Sequence, residues 1–416
     1  MKKPSVLIIF LTVFIDLIGF GIVLPLIPIY SRDFGATETI GGLIMASFSA
    51  MQFIFAPMWG RLSDRIGRRP VILIGLSGST ISYALFAIAS GWDGEMGRYV
   101  LWGILGSRML AGVMGANVSV AQAYMADISP PEKRSKSMGL IGMAFGLGFI
   151  LGPFVGAQSL AWFGLAGPGW LAAGFCGMSF LFALAKLEES RVGDSDHAPQ
   201  RPHFAQIAHV LAQPKVGLLI GLFFLATFCF TTFETTLGWL VQNNFNLKPQ
   251  HAEDAKTISY LFAFAGFIGA IVQGGAIGRL VKKFGEKNLI VMSLILTGIS
   301  LAPLPFAKTW MFLLTALAGL AIGSSLVRPP VFGLISLLSP ANEQGATIGV
   351  AQSAGSLARI FGPIFAGVAF QYRQELPYLA CAVVAVIAGL IAMVKLDAVK
   401  HTPVEPGTET AKVESP

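Results

Sequence analysis

Long apolar runs recur along almost the whole of this 416-residue sequence. A helix needs about 20 mostly apolar residues to cross a bilayer, and the chain offers twelve such runs. Only 12% of its residues are charged, roughly half the share of a soluble chain, so the polar surface of a water-soluble globule is missing. The sequence therefore predicts an all-α membrane protein with helices near 5–30, 38–59, 70–91, 99–126, 137–163, 168–187, 215–241, 257–277, 287–307, 309–335, 345–370 and 376–396.

The basic residues predict the orientation of these helices. If the N-terminus is cytoplasmic, twenty Lys and Arg residues fall in cytoplasmic segments and six in external ones. Both termini are then cytoplasmic, which requires an even number of spans. The net charge of +7 thus indicates topology and attraction to lipid headgroups rather than binding of nucleic acid. The compact loops and the Lys2-Lys3 start favour a bacterial inner membrane.

Residues suited to catalysis or metal binding are scarce. Cys176, Cys229 and Cys381 fall inside apolar runs, and the five histidines fall in loops or the tail. No Cys/His metal spacing and no Gly-x4-Gly-Lys-Ser/Thr phosphate loop is present in the sequence. A membrane enzyme or sensor would need a larger loop than this chain has. We therefore expect no catalytic residue, metal or cofactor, and no enzymatic activity.

The two halves of the sequence resemble each other. The segment Gly60–Gly67 shares its two terminal glycines and an Arg-Leu pair with Gly278–Gly285, 218 positions later. The pair Gly152-Pro153 recurs 210 positions later as Gly362-Pro363. Two six-helix repeats then run in the same direction, with a cavity expected between them near mid-bilayer. We expect an N-terminal bundle over 1–187, a cytoplasmic linker over 188–214 with a short amphipathic helix at Phe204–Ala212, a C-terminal bundle over 215–397 and a disordered cytoplasmic tail over 398–416.

Asp16 lies about eleven residues into the first predicted helix, near the middle of the bilayer. A carboxylate there is costly and marks a functional site by default. Since burial favours a neutral acid, Asp16 is a candidate proton carrier. Arg108 in helix 4 lies at roughly the same depth and can pair with it, and proton or substrate binding would loosen such a pair. The alternative for both residues is a permanent structural ion pair.

Three more charges fall inside predicted helices. Glu234 in helix 7 can bind a cationic substrate or carry a second proton; the alternatives are a cavity-lining position without a transport function and solvent exposure at the cavity mouth. The neighbouring Phe233 can line the cavity, with lipid-facing packing as the alternative. Arg359 in helix 11 can pair with Glu234 or with Asp16. If Arg359 or Arg328 of helix 10 is unpaired in the cavity, the sequence favours an anionic or zwitterionic substrate.

The string Gly60–Pro70 between helices 2 and 3 resembles the signature loop of the major facilitator superfamily. We expect Gly60 and Gly67 to adopt backbone geometry closed to other residues. In the second copy Lys282 replaces the aspartate of the first, so a latch there would be weakened or altered.

The resemblance implies that Asp64 and Arg68 join Asp127, at the inner end of helix 4, in a charge network that latches the two halves. Asp64 can also lie at the N-terminus of helix 11, where the helix dipole favours an anion.

Three further motifs resemble those of the twelve-helix drug:proton antiporter branch of that superfamily. In helix 5 the motif is Gly148-x3-Gly152-Pro153-x2-Gly156, with Gly362-Pro363 of helix 11 as its partner; a general Gly-rich packing face is the alternative. Asp16 opens a motif of helix 1 that includes Pro25 and Pro28. Arg108 opens a motif of helix 4 whose arginine is linked, in the family, to proton transfer. The helix 5 motif marks exporters.

Within the branch the chain looks most like tetracycline-type exporters, over residues 5–396. Those exporters typically carry an acid before a Tyr in helix 3, a His in helix 8 and an acid in helix 9. Here Ser82 precedes Tyr83, and the predicted helices 3, 8 and 9 contain no Asp, Glu or His. The resemblance therefore favours export without favouring tetracycline.

We expect a proton-coupled secondary transporter, an efflux antiporter of a small amphiphilic or drug-like compound that works by alternating access. Its partners would be the substrate, protons and the lipid bilayer, and a monomer is the family default. The alternative is a proton-symport importer of a small nutrient or organic anion, because the fold serves both directions.

Overall fold

The computed structural model describes residues 4–23, 38–92, 96, 99–190, 203–246, 252–340 and 342–396. All regular structure in these ranges is helical. The predicted residues Pro25 and Pro28, linker residues 191–202 and the tail lie outside them. The membrane helices are α1 (Val6–Val23), α2 (Glu38–Ile66), α3 (Arg68–Ser90), α4 (Val100–Gly115 and Val118–Asp127), α5 (Arg134–Phe163), α6 (Gly167–Lys186), α7 (Pro214–Phe245), α8 (Ala252–Ile271, a π-helical turn Val272–Ala276, and 277–284), α9 (286–301), α10 (Trp310–Leu338), α11 (Gln344–Tyr372) and α12 (Leu376–Lys395).

The described chain crosses the membrane twelve times, as predicted. Eleven of its segments are long and apolar enough to span a bilayer, but one of them, Tyr260–Phe306, has 47 residues. At a rise of 1.5 Å per residue it would be about 70 Å long, more than twice the roughly 30 Å hydrocarbon core. A break at Gly285 divides this segment into α8 and α9. The protein is therefore a multi-pass membrane protein.

The same turn occurs once in each half. Gly67, between α2 and α3, has φ 97° and ψ 161°, and Gly285 has φ 74° and ψ 161°. Only glycine adopts such angles without strain, so the predicted role of Gly67 agrees with the structure. For Gly60 the expectation is wrong, because this residue is helical within α2. A Cβ atom there would collide with the carbonyl oxygen of Gly345, so Gly60 serves close helix packing instead.

Each half has a core of its own, and the halves share a third core. One cluster of buried side chains lies only in the first half, around Tyr83 and Phe86. Another lies only in the second half, around Leu317 and Tyr378. The largest cluster joins side chains of both halves, among them Val71, Tyr124, Phe223, Phe332 and Val350. It lies toward the end of the bundle that carries Gly67 and Gly285, which we call the basic end.

Two pairs of helix faces join the halves: α2 packs against α11, and α5 packs against α8 and α10. A short helix, His203–Ala212, begins one residue before the predicted amphipathic segment. It contacts α7, α11 and α2 and buries Gln206 and Val210. This helix therefore lies at the basic end, where α2 and α11 meet.

Candidate transport site and latch

Asp16 lies in α1 ten residues after Val6, about 15 Å along the helix. Its side chain is half-buried, and its Oδ1 has no hydrogen-bond partner among the described residues. The thiol of Cys176 in α6 approaches its carbonyl oxygen at 4.0 Å. A carboxylate held away from water without a cationic partner is costly, and uptake of a proton removes that cost. The geometry therefore suits a group that gains and loses a proton.

Arg108 is fully buried in α4, at 1% exposure, and does not contact Asp16. Its Nε, Nη1 and Nη2 have no hydrogen-bond partner in the described part of the chain. Its guanidinium lies over the ring of Phe48, 4.6 Å from the centroid, and 5.9 Å from that of Phe20. Cation–π attraction offsets part of the cost of burying this charge.

Tyr83 of α3 joins the two charged residues. Its hydroxyl is within electrostatic range of both Asp16 and Arg108, and it is buried. Among the described residues Asp16 and Arg108 form no ion pair, and Tyr83 has both charged groups in range. In the sequence Tyr83 stands out only as the neighbour of a missing acid, because an isolated tyrosine in an apolar run carries no stronger signal.

The glycine motif of α5 packs against α1 in the stretch that follows Asp16. A Cβ atom on Gly148 would lie 2.9 Å from the carbonyl oxygen of Leu17, and one on Gly156 would lie 2.7 Å from that of Ile22. A Cβ on Gly152 would collide with the backbone of Gly21. These glycines therefore let α5 touch the backbone of α1 from the residue after Asp16 onward. Pro153 lies within the same stretch of α5.

The partner motif of α11 packs on α7 in the second half. A Cβ atom on Gly362 would collide with the side chain of Thr231, three residues before Glu234, and Pro363 lies next to it within the helix. The two Gly-Pro motifs therefore have equivalent packing roles, each joining a motif helix to the helix that bears a carboxylate.

Glu234 is half-buried in α7 and lies within electrostatic range of Arg359. Arg359 donates hydrogen bonds through Nη2 to Oε1 of Gln52 at 3.4 Å and to Oγ of Ser356 at 3.3 Å. Gln52 belongs to α2 of the first half, so this guanidinium bridges the halves. Of the two partners expected for Arg359, the structure brings Glu234 into range.

Arg328 of α10 is half-buried and surrounded by rings. Its Cζ lies 4.6 Å from the ring centroid of Phe145, 5.7 Å from that of Phe332 and 6.0 Å from that of Phe223. Its one hydrogen bond to a described residue runs from Nη2 to Oε1 of Gln352 at 3.4 Å.

Phe233, which we expected to line the cavity, is 2% exposed and belongs to the core of the second half. Successive residues of a helix point in different directions, and the next residue, Glu234, is the accessible one. The candidate site therefore does not include Phe233.

A buried charge network joins the halves at the basic end. Arg68 Nη1 lies 2.7 Å from Asp64 Oδ1, and Arg68 Nε lies 3.0 Å from Asp127 Oδ2. Asp64 also accepts hydrogen bonds from the backbone N–H groups of Gly345, at 3.0 Å, and Ala346, at 2.8 Å. These are the second and third residues of α11, where free N–H groups and the helix dipole favour an anion. Asp64 thus has both expected roles: it belongs to the charge network, and it accepts hydrogen bonds at the start of α11.

Residues that follow α6 complete this network, and sequence reasoning missed them. Glu189 accepts hydrogen bonds from the backbone N–H groups of Arg68, at 2.9 Å, and Arg69, at 3.0 Å, so it caps the start of α3. Ser190 donates from Oγ to Asp127 Oδ2 at 3.1 Å. Nothing but their position just after an apolar run distinguished these residues from an ordinary linker.

The second half has an acid at the corresponding place. Glu286 is 5% exposed and accepts a hydrogen bond from Ser135 Oγ at 3.3 Å. Ser135 is the second residue of α5 and precedes Gly345 by the 210 positions that relate the two Gly-Pro motifs. Lys282 is exposed. The acid of the second half therefore lies four residues further along the chain, on the other side of the break at Gly285, and still reaches the start of the facing helix.

Comparison with known proteins agrees with this architecture. The sequence profile of the Major Facilitator Superfamily matches residues 9–285 and 274–415. The class E tetracycline resistance protein of Escherichia coli is 30% identical over 383 residues, 89% of each chain. Multidrug resistance protein 2 of Bacillus subtilis is 27% identical over 404 residues, 94% of this chain and 95% of the relative.

Among solved structures, the human organic anion transporter MFSD10 (TETRAN) matches with a TM-score of 0.78 at 25% identity. The match covers 94% of this chain and 100% of that chain. Fold, repeat and sequence thus agree along nearly the whole length. The chain therefore belongs to the Major Facilitator Superfamily, in the same branch as these resistance proteins.

Proposed function

We propose that this protein is a proton-coupled efflux antiporter of a small amphiphilic compound and that Asp16 carries the proton. One observation carries the proposal. The glycine face of α5 packs on the backbone of α1 beside Asp16, whose Oδ1 has no partner among the described residues. A change in the charge of Asp16 would therefore act directly on the α1–α5 contact. The names of the tetracycline and multidrug resistance relatives support export.

In this mechanism the two bundles, 1–187 and 215–397, rock against each other. The basic end faces the cytoplasm, in line with the positive-inside rule, and the Asp64–Arg68–Asp127 network latches it closed. Asp16 takes up a proton from the outside, and release of that proton to the cytoplasm accompanies binding of the substrate. Arg108 and Tyr83 adjust the cost of the charge on Asp16 as the halves move.

Proton symport of an organic anion is the second candidate. The observation that favours it is the charge balance within the described transmembrane helices, where Arg108, Arg328 and Arg359 outnumber Asp16 and Glu234 near mid-membrane. The similarity to a human organic anion transporter points the same way. The direction of coupled flux separates the two candidates.

The test uses the purified full-length protein in liposomes with an imposed pH gradient and a pH-sensitive dye inside. A panel of cationic, neutral and anionic amphiphiles is added to the native protein and to Asp16→Asn. Antiport predicts that some compounds drive protons in the opposite direction, and that Asp16→Asn loses this coupled flux by at least about a hundredfold, since no other described group at that depth of α1 can take the proton.

Glu132→Gln, which removes an exposed acid at the basic end, serves as the matched control and should keep the native flux. Protons that move with the compound would indicate symport instead. If Asp16→Asn exchanges protons at the native rate, the role of Asp16 is refuted and Glu234 becomes the carrier to test.

A further inference from the structure

The interior charges of the described bundle are not evenly paired. Arg359 has the carboxylate of Glu234 in range, whereas the charged group in range of Arg328 is Arg359 itself, another cation. No carboxylate of the described residues forms an ion pair with Arg328. A cation that is held away from water beside a like charge is costly. An anion from outside the chain, bound at Arg328, would offset this cost.

The surroundings of Arg328 leave its hydrogen-bond donors free. Three rings, Phe145, Phe223 and Phe332, lie 4.6–6.0 Å from its Cζ. Rings attract a cation through their faces but accept no ordinary hydrogen bond. A guanidinium has five N–H donors in a planar fork, and Gln352 takes one of them. Nε has no partner in the described ranges.

The backbone holds Arg328 in place. Pro329 and Pro330 follow it within α10, and neither has an N–H to give to the preceding turn. The carbonyl of Ser325, which Pro329 leaves without its helical donor, accepts a hydrogen bond from Gln273 Nε2 at 3.1 Å. Gln273 lies in the π-helical turn of α8, a feature that recurs at functional sites. The position of Arg328 is thus fixed by α8 as well as by its own helix.

This site lies between the two halves. Phe145 belongs to α5 of the first half, whereas Arg328, Phe223 and Gln352 belong to the second. Arg328 is ten residues from the end of α10, about 15 Å along the helix, which places it near mid-membrane like Asp16. A ligand bound here would contact both halves, and its contacts would change when the halves move relative to each other.

We propose that Arg328 binds the carboxylate of an aromatic or similarly apolar acid, and that the rings of Phe145, Phe223 and Phe332 contact its apolar part. The inference rests on the proposed transport function and specifies its substrate class. The planar fork of arginine matches a carboxylate in a two-bonded arrangement, and the rings match an apolar body. The bound carboxylate would place an opposite charge beside a guanidinium that has the like charge of Arg359 in range.

The test compares two probes of similar size and shape, the anion 2-naphthoate and the neutral amide 2-naphthamide. Their binding to the purified full-length protein is measured by titration calorimetry, and each variant is first checked for a native gel-filtration profile. We expect naphthoate to bind the native protein at least about tenfold more tightly than naphthamide, as a charge-assisted hydrogen-bonded pair should. In Arg328→Gln this ratio should fall to about one.

Arg328→Lys retains the charge without the fork, so its ratio should be intermediate, and it carries the test if Arg328→Gln does not fold. The control is Lys283→Gln, which removes an exposed cation that also lies beside a ring, 5.2 Å from the centroid of Phe284; it should keep the native ratio. An unchanged ratio in Arg328→Gln, or no preference in the native protein, would overturn the inference.

Failure of this inference is distinguishable from failure of the proposed function. If the liposome assay shows Asp16-dependent exchange of cationic or neutral compounds and naphthoate does not bind, the antiporter stands and the anion site is refuted. If naphthoate binding depends on Arg328 but no compound moves protons, the site is supported and proton coupling is refuted.

Discussion

The glycines of α5 allow close helix packing because they have no side chain. Gly148, Gly152 and Gly156 bring the backbones of α5 and α1 together beside Asp16. In lipid, where the hydrophobic effect gives no preference for one apolar contact over another, such close packing is a main source of helix association. The same residues that stabilise the first half therefore also set the position of the proposed proton carrier.

Gly152→Ala tests this packing. The new Cβ would meet the backbone of Gly21, which cannot move aside as the end of a flexible side chain can, so the helices must separate. We expect a loss of about 1–3 kcal/mol of stability, as for other overpacked sites, read as a lower unfolding temperature in detergent.

The matched control is Gly174→Ala, in α6. Gly174 is exposed and no atom lies within 4 Å of the position of its added Cβ. Because alanine favours a helix over glycine by about 1 kcal/mol, this variant should be as stable as the native protein or more so. Equal effects of the two substitutions would argue against a specific α1–α5 contact.

Single residues show where prediction from the sequence ends. Charges inside apolar runs stand out by their rarity, so Asp16, Arg108 and Arg328 were identifiable at once. Their neighbours were not, because Tyr83 reaches Arg108 from another helix and the rings around Arg328 come from three helices. Periodicity defines a helix but leaves open which residues of different helices meet.

At the scale of elements, the two turns of the repeat perform one task with different residues. Asp64, three residues before the turn at Gly67, binds the start of α11. Glu286, the residue after the turn at Gly285, binds the start of α5 through Ser135. Both acids lie at a helix N-terminus, where an anion is favoured by the dipole and by free N–H groups. The repeat therefore conserves the contact between elements while the position of the acid changes.

Asp64→Asn tests the latch. The substitution leaves an uncharged group at the start of α11 and removes the ion pair with Arg68. Charge-assisted hydrogen bonds are worth about 1.5–3 kcal/mol each, so opening at the basic end should become at least about tenfold more frequent. The measurement is the rate at which a water-soluble maleimide labels Ser353→Cys, whose position is 2% exposed between α11 and α2.

The native cysteines are buried inside the cores of single halves, whereas position 353 lies between the halves, so opening at the basic end exposes the introduced thiol. Glu132→Gln, an exposed acid at the same end, provides the control and should leave the rate unchanged. Glu286→Gln should have a smaller effect than Asp64→Asn if its bond to Ser135 is the weaker contact, at 3.3 Å. Labelling in Asp64→Asn at the native rate would show that the network does not hold the halves together.

For the whole molecule, the membrane itself made the fold predictable. The thickness of the bilayer fixes the length of each apolar run, and internal similarity fixes the relation between the halves. The contacts between the halves were less accessible to prediction. Hydrogen bonds such as Ser353 Oγ to the carbonyl of Phe53 join positions 300 residues apart, and neither residue type carries a signal that names its partner.

The net charge moved in one cycle separates the two candidate functions of the whole molecule. If one proton enters for each monoanion that leaves, each cycle transfers the equivalent of two positive charges inward. An inside-negative potential of 100 mV then contributes about 2.3 kcal/mol per charge. If one proton and one monoanion travel together, no net charge crosses. In liposomes, valinomycin and a potassium gradient can set the membrane potential while the pH stays constant. We therefore expect antiport of 2-naphthoate to accelerate when the side that receives protons is made negative. Reversal of the potential should slow it. A naphthoate flux that depends on the proton gradient but ignores the potential would contradict anion antiport and identify electroneutral symport.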